Sequence, residues 1–177
     1  MTAQAFIDES ARGRQYFVVA AVIANSDVTE VRKLARSLCM PGQRRWHFIN
    51  ERDSRRRQIV DALIGRGELS VLVATGRGRD SQIRPAALRR LVDPLLEHQV
   101  GRLLIESRQG RDDLDRIALL SQLVGHHDPA DLEYDHLPAH SDPMLWVADA
   151  FAWCSSAGGQ WAEWISPAVV GRYDVTP

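Results

Sequence analysis

Two strand-like segments set back to back near the N-terminus, followed by alternating strands and helices, restrict the fold more than any other feature. Ala3–Asp8 is short and apolar, and Tyr16–Ala24 is a long run rich in valine and aromatic residues. The turn-like stretch from Glu9 to Gly13 between them is short, which predicts an antiparallel hairpin. Asp27 with Glu30 resembles a capping box and opens a helix through Leu38, which Pro41-Gly42 terminates. Asp53 or Ser54 begins a second helix, in which Ile59, Val60, Leu63 and Ile64 repeat with helical period before Gly65. Leu69–Ala74 reads as a buried strand, and a helix from Pro85 to Gln99 leads to a strand over Arg102–Glu106. A helix from Asp112 or Asp113 to Val124, a strand over Leu132–Leu137 and a helix from Asp142-Pro143 to Gly158 complete the series. Such alternation predicts parallel strands with crossover helices, hence an α/β layered architecture. At 177 residues, the expectation is one domain spanning 1–177.

Composition removes several classes. The longest apolar run falls short of a membrane span, and the N-terminus lacks the basic-then-apolar pattern of a secretion signal. Cys39 and Cys154 are too few for a disulfide framework or a structural zinc site, so a cytoplasmic location is expected, with no membrane partner. The net charge of −1 conceals an asymmetry. Residues 1–108 carry 19 basic and 12 acidic side chains, and residues 109–177 carry 3 and 11. Lys33 is the sole lysine. Arginine suits bidentate phosphate contacts, although arginine preference also follows from coding bias.

Three carboxylates stand where carboxylates are costly. Asp8 follows Ala5-Phe6-Ile7 and Glu106 follows Leu103-Leu104-Ile105, each at the carboxyl end of a buried strand. Ligands of open α/β sheets bind beyond those ends. Asp149 sits mid-helix, with Leu145, Trp146, Ala152 and Trp153 one turn away. A carboxylate on an apolar face loses hydration and must be neutralised, paired or bound to a cation. Hard ions such as Mg²⁺ or Mn²⁺ take oxygen ligands, and two such ions could activate water for phosphodiester cleavage. Each acid also has a plain structural reading: Asp8 starting a turn, Glu106 pairing with an arginine, Asp149 bonding a buried backbone group or an arginine.

These segments resemble DUF3800, a family of ribonuclease H-like domains. The similar pieces are Phe6-Ile7-Asp8-Glu9-Ser10 with the strand Tyr16–Ile23, then Ile105-Glu106-Ser107, then Val147-Ala148-Asp149-Ala150, and Trp46-His47-Phe48 before a helix. Ala11 follows Ser10 where that family usually has glycine. The resemblance implies a mixed five-stranded sheet flanked by helices and metal-dependent phosphodiester chemistry. It also implies that Asp8 is the ligand on the first strand, Glu106 that on the strand beside it, and Asp149 that on the last helix.

Further candidates carry two readings each. Glu9 joins the site only if the strand has ended before it, since alternate strand residues face opposite ways. His47 could orient a water or phosphate, or be a packed loop histidine. Glu51 is a fourth acid or first-turn helix charge. Asp142 lies two turns before Asp149, about 10 Å by helix rise, and reads first as a helix cap and only second as a peripheral metal ligand. Arg12 and Arg14 in the hairpin loop, with Arg45 and Arg52, are candidates for substrate phosphate or a solvated basic face. Trp153, Trp161 and Trp164 read as core or as a contact between two copies in a homodimer, with base stacking as the other use.

The function expected from these features is that of a metal-dependent nuclease or related phosphodiester hydrolase acting on DNA or RNA. The alternative is a catalytically inactive ribonuclease H-like module that binds nucleic acid or a protein partner.

Overall fold

The hydrophobic alternation of the first strand decides the layering of the whole molecule. The computed structural model describes residues 2–177. Strand β1 (Ala3–Arg12) sends Phe6 to one face of the sheet and Ala5 and Ile7 to the other. Strand β2 (Gln15–Ala24) runs back antiparallel in full register, from Ala3 opposite Ala24 to Arg12 opposite Gln15. Gly13, at φ 61°, supplies the left-handed turn between them. β1 therefore continues four residues beyond Asp8, instead of ending there as the sequence suggests. The turn-like residues 9–12 are held extended by β2.

The remaining elements follow in alternation: α1 (Val28–Ser37), α2 (Asp53–Ile64), β3 (Leu69–Arg77), α3 (Asp80–Glu97), β4 (Val100–Glu106), α4 (Asp112–His126), β5 (Glu133–Leu137), α5 (Pro143–Ala157), α6 (Gly159–Ile165) and β6 (Val169–Asp174). The sheet order is β5-β4-β1-β2-β3-β6. β2 pairs antiparallel with β1 on one side and β3 on the other, while β4, β5 and β6 join by parallel pairing. The architecture is thus α/β with a mixed sheet flanked by helices, but six strands are present among the described residues where five were expected. The addition is β6, which pairs with β3 at the sheet edge. Its sequence, Val-Val-Gly-Arg-Tyr-Asp, is short and glycine-broken, with alternate residues half-buried, so its apolar signal is thin.

Two cores result. On one face, α1, α2, α5 and α6 bury Phe6, Val19, Val73 and Leu104. On the other, α3 and α4 bury Ile7, Ala20, Leu72 and Ile105. Apart from Asp149 and the closing Ser155-Ser156, α5 is apolar on all sides because it is covered by the sheet below and helices beside it. α3 begins at Asp80 and carries Pro85 within it, so Pro85 does not open the helix as its position suggests. Ile83 and Arg84, ahead of the proline, are buried and hold the first turn against the sheet. Asp27 occupies the position before α1 but makes no side-chain cap bond, so the capping box is not formed. Asp142 does cap α5, accepting from the Met144 N–H at 3.0 Å. Among the described residues, no helix is long and apolar enough to cross a membrane.

Candidate functional site: two carboxylate clusters on opposite faces

The pleat of β1 and the parallel register of β4 together place Asp8 and Glu106. Phe6 pairs with Leu104 and Ile7 with Ile105, so Asp8 and Glu106 stand side by side one step beyond the last paired rung. Both continue the face of Phe6 and Leu104, the face that α5 covers. Asp149 comes down on them from α5. Asp8 is buried, while Glu106 and Asp149 are half-buried.

The three are close enough to disturb one another's ionisation. The Asp8 carboxyl is held well above the usual carboxylate range, first by burial and then by the charges of Glu106, Asp149 and Glu9. Glu106 is raised by burial, by Asp149 and by Glu9, against the opposing pull of Arg108 and Arg45. Asp149 is raised by burial, opposed by a 2.9 Å bond from the Phe48 N–H and by the charges of His47 and Arg45. Asp8 accepts 2.7 Å from the N–H of Glu9. None of the three makes an ion pair among the described residues.

Glu9, one residue along, has the opposite circumstances. β1 is still extended there, so Glu9 points to the other face and is buried against Arg84 of α3 and Arg108. Arg84, itself 2% exposed, also clasps Asp115 of α4 through Nε and Nη2, at 2.8 and 2.7 Å. His136 of β5 completes the group, with Nε2 3.1 Å from Asp115. Asp115 is consequently held below the ordinary carboxylate range, as the Arg84 and His136 hydrogen bonds overcome its burial. Asp112, Asp115 and His136 bring ligand atoms within 4.8 Å of one another. However, Arg84 engages both oxygens of Asp115. This cluster already contains its cation.

The other candidates separate in the same way. Glu51 is buried and engaged elsewhere, accepting 2.8 Å from Gln43 and lying beside Arg55. Asp142 is paired with Arg32 at 2.5 Å. His47 is exposed and Arg45 half-buried, and both act electrostatically on Asp149. Arg12, Arg14 and Arg52 are exposed without a carboxylate partner among the described residues, and Arg12 donates to the Ala157 carbonyl at 3.2 Å. Arg55 and Arg56, by contrast, are occupied by backbone carbonyls of Leu38, Phe48 and Ile49.

The Arg84–Asp115–His136 group has no counterpart among the sequence candidates. The signal that singles out Asp149 also marks Asp115, since Ala118 and Leu119 lie one turn on and are buried. Arg84 shows it too, between Ile83 and Ala87-Leu88. What one chain segment cannot show is that the two buried charges meet across α3 and α4. No protein-family model matches the chain, and no curated protein matches it significantly.

Proposed function

We propose that the chain is a metal-dependent phosphodiester hydrolase, a nuclease of ribonuclease H-like layout, in which Asp8, Glu106 and Asp149 hold Mg²⁺ or Mn²⁺. One observation carries this reading: three carboxylates converge with no ion pair to any of them among the described residues, and Asp8 is raised by the charges of the other two, while the neighbouring cluster is neutralised by Arg84. Crowded, unpaired carboxylates are stabilised by a cation, and an all-oxygen donor set suits a hard divalent ion. The donor set therefore fits the metal. Its chemistry there would be activation of a water and stabilisation of a leaving oxygen.

The chain's own groups have separate roles in this reading. The Phe48 N–H fixes one oxygen of Asp149, and the other oxygen would serve the metal. Arg45 and His47 stand beside these carboxylates and offset the charge of an incoming phosphate. Arg12, Arg14 and Arg52 supply unpaired guanidinium groups for a phosphate backbone of DNA or RNA. Glu9, Glu51 and Asp142, each with its own cation, stand outside the proposed metal set.

The second reading, an inactive binding module, is favoured by the backbone bonds to Asp149 and Asp8, which give two of the acids a structural use. Cleavage of single-stranded, duplex and hybrid substrates in Mg²⁺ or Mn²⁺ separates the two. Activity is expected in wild type and absent in folded Asp149→Asn. Unchanged cleavage by that variant would sink the enzymatic reading, and no cleavage by wild type would favour the module.

A further inference from the structure

An aromatic chain runs from the carboxylate cluster to the surface. Phe48, whose N–H binds Asp149, packs 5.4 Å from Trp153, one helical turn beyond Asp149. Trp153 meets Trp161 at 5.3 Å, and Trp161 stacks on Trp164 at 5.7 Å with 23° between the rings. The three tryptophans are half-buried and pack against the core. Guanidinium groups border them: Arg56 lies 4.2 Å over Trp153 and Arg57 5.7 Å over Trp164.

The charges along this path are unevenly satisfied. Asp53 is taken by Arg56, and Asp61 accepts from the Trp164 indole N–H at 2.7 Å. Arg52 and Arg57 of α2 are exposed and have no carboxylate partner among the described residues. Arg12, reaching from the hairpin tip to the Ala157 carbonyl, lies at the end of α5 just before the α6 tryptophans. Aromatic faces interleaved with unpaired cations match a single strand of nucleic acid, whose bases stack on the rings while its phosphates meet the arginines. A duplex keeps its bases stacked internally and cannot use the rings.

We propose that Trp153, Trp161 and Trp164, with Arg12, Arg52 and Arg57, form a stacking track that leads single-stranded nucleic acid toward the Asp8–Glu106–Asp149 cluster. The track names the substrate class for the hydrolase reading above and rests on it for its purpose, but its binding requires no metal.

The test is fluorescence anisotropy of a labelled single-stranded oligothymidylate, and of a duplex of equal length, titrated with the full chain in EDTA. The single strand is expected to bind about tenfold more tightly than the duplex or better. Trp161→Ala should weaken it by about tenfold, Trp161→Phe should restore most of the loss, and Arg52→Gln with Arg57→Gln should lower the salt dependence by about 0.7 per phosphate contact removed. Equal affinity for duplex, or undiminished affinity in Trp161→Ala, overturns the track. If Trp161→Ala unfolds, undiminished affinity and unchanged salt dependence in the arginine pair overturn it instead. Melting of the same preparations with Mn²⁺ keeps the two readings apart. A metal shift without ring-dependent binding removes the track alone, whereas ring-dependent binding without a metal shift removes the metal site and leaves the track.

Discussion

Asp8 and Glu9 are neighbours in one strand, but the pleat sends them to faces with opposite electrostatics. On the α3–α4 side, Glu9 and Asp115 share Arg84, with Arg108 and His136 at the margins. On the α5 side, Asp8 has no ion pair among the described residues, accepts from the Glu9 N–H and is raised by the charges of Glu106 and Asp149. Burial is comparable for the two adjacent residues, at 5% and 6% exposure. The difference therefore lies in partners and not in depth. A buried charge network with its counter-ion inside is a structural device, and one that lacks its counter-ion implies a cation from elsewhere.

The sharpest way to break this contrast is to remove the internal cation. Arg84→Met leaves buried Glu9 with Arg108 alone and buried Asp115 with His136 alone, and should cost about 3–5 kcal/mol in denaturant unfolding. A loss below about 1 kcal/mol would mean that water or Arg108 satisfies those acids, and the two clusters would no longer differ in kind. The complementary experiment supplies the missing cation. Mn²⁺ at a hundredfold excess over its Kd should stabilise wild type by about 2.7 kcal/mol, an increase of about 5–10 °C in Tm. The increase should disappear in Asp149→Asn and persist in Asp115→Asn, once the latter's lower starting Tm is allowed for. Loss of the metal response in Asp115→Asn would move the ion to the Asp112–Asp115–His136 group.

How much of this was legible before folding depends on which interactions are local. Asp8, Glu106 and Asp149 stand out in the sequence because their immediate neighbours are apolar, and that is a property of a few adjacent residues. The hairpin and the βα alternation are visible for the same reason. Arg84 is equally conspicuous on its own helix, but its meaning comes from Glu9, 75 residues away, and Asp115, 31 residues away. Glu9 itself turns on whether β1 ends at Asp8, which residues 9–12 do not reveal and β2 decides by pairing with them. β6 was lost to its glycine and its half-exposed edge position. Arg55 and Arg56 are likewise claimed by backbone carbonyls of Leu38, Phe48 and Ile49, which lie outside their own helix.

A smaller effect tests the crowding directly. Asp149→Asn removes one negative charge from the unpaired cluster while its amide oxygen can still accept from the Phe48 N–H. In EDTA the variant should melt about 2–4 °C above wild type, the equivalent of about 1 kcal/mol in a chain of this size. Asp115→Asn should shift Tm in the opposite direction, because it weakens the hold of Arg84 and His136. Destabilisation by both substitutions would assign Asp149 a structural role like that of Asp115.

The finest distinction is the sign of the pH dependence. In the unpaired cluster the folded pKa values of Asp8, Glu106 and Asp149 lie above their unfolded values, so the folded state binds more protons. Stability without metal should therefore fall as pH rises from the ordinary carboxylate range through the raised values. Asp112 and Asp115 are held below their unfolded values, so their contribution is complete above the ordinary carboxylate range and is lost as pH falls through the lowered values. Urea unfolding in EDTA should accordingly show greater stability near pH 5 than near pH 8, with a decline again below about pH 4. The slope above pH 5 should flatten in Asp149→Asn and reverse in saturating Mn²⁺, because a bound ion requires deprotonated ligands. A wild-type protein whose stability in EDTA simply rises from pH 5 to pH 8 would show that the α5-side acids are as well paired as those around Arg84, and the contrast on which the metal reading rests would be gone.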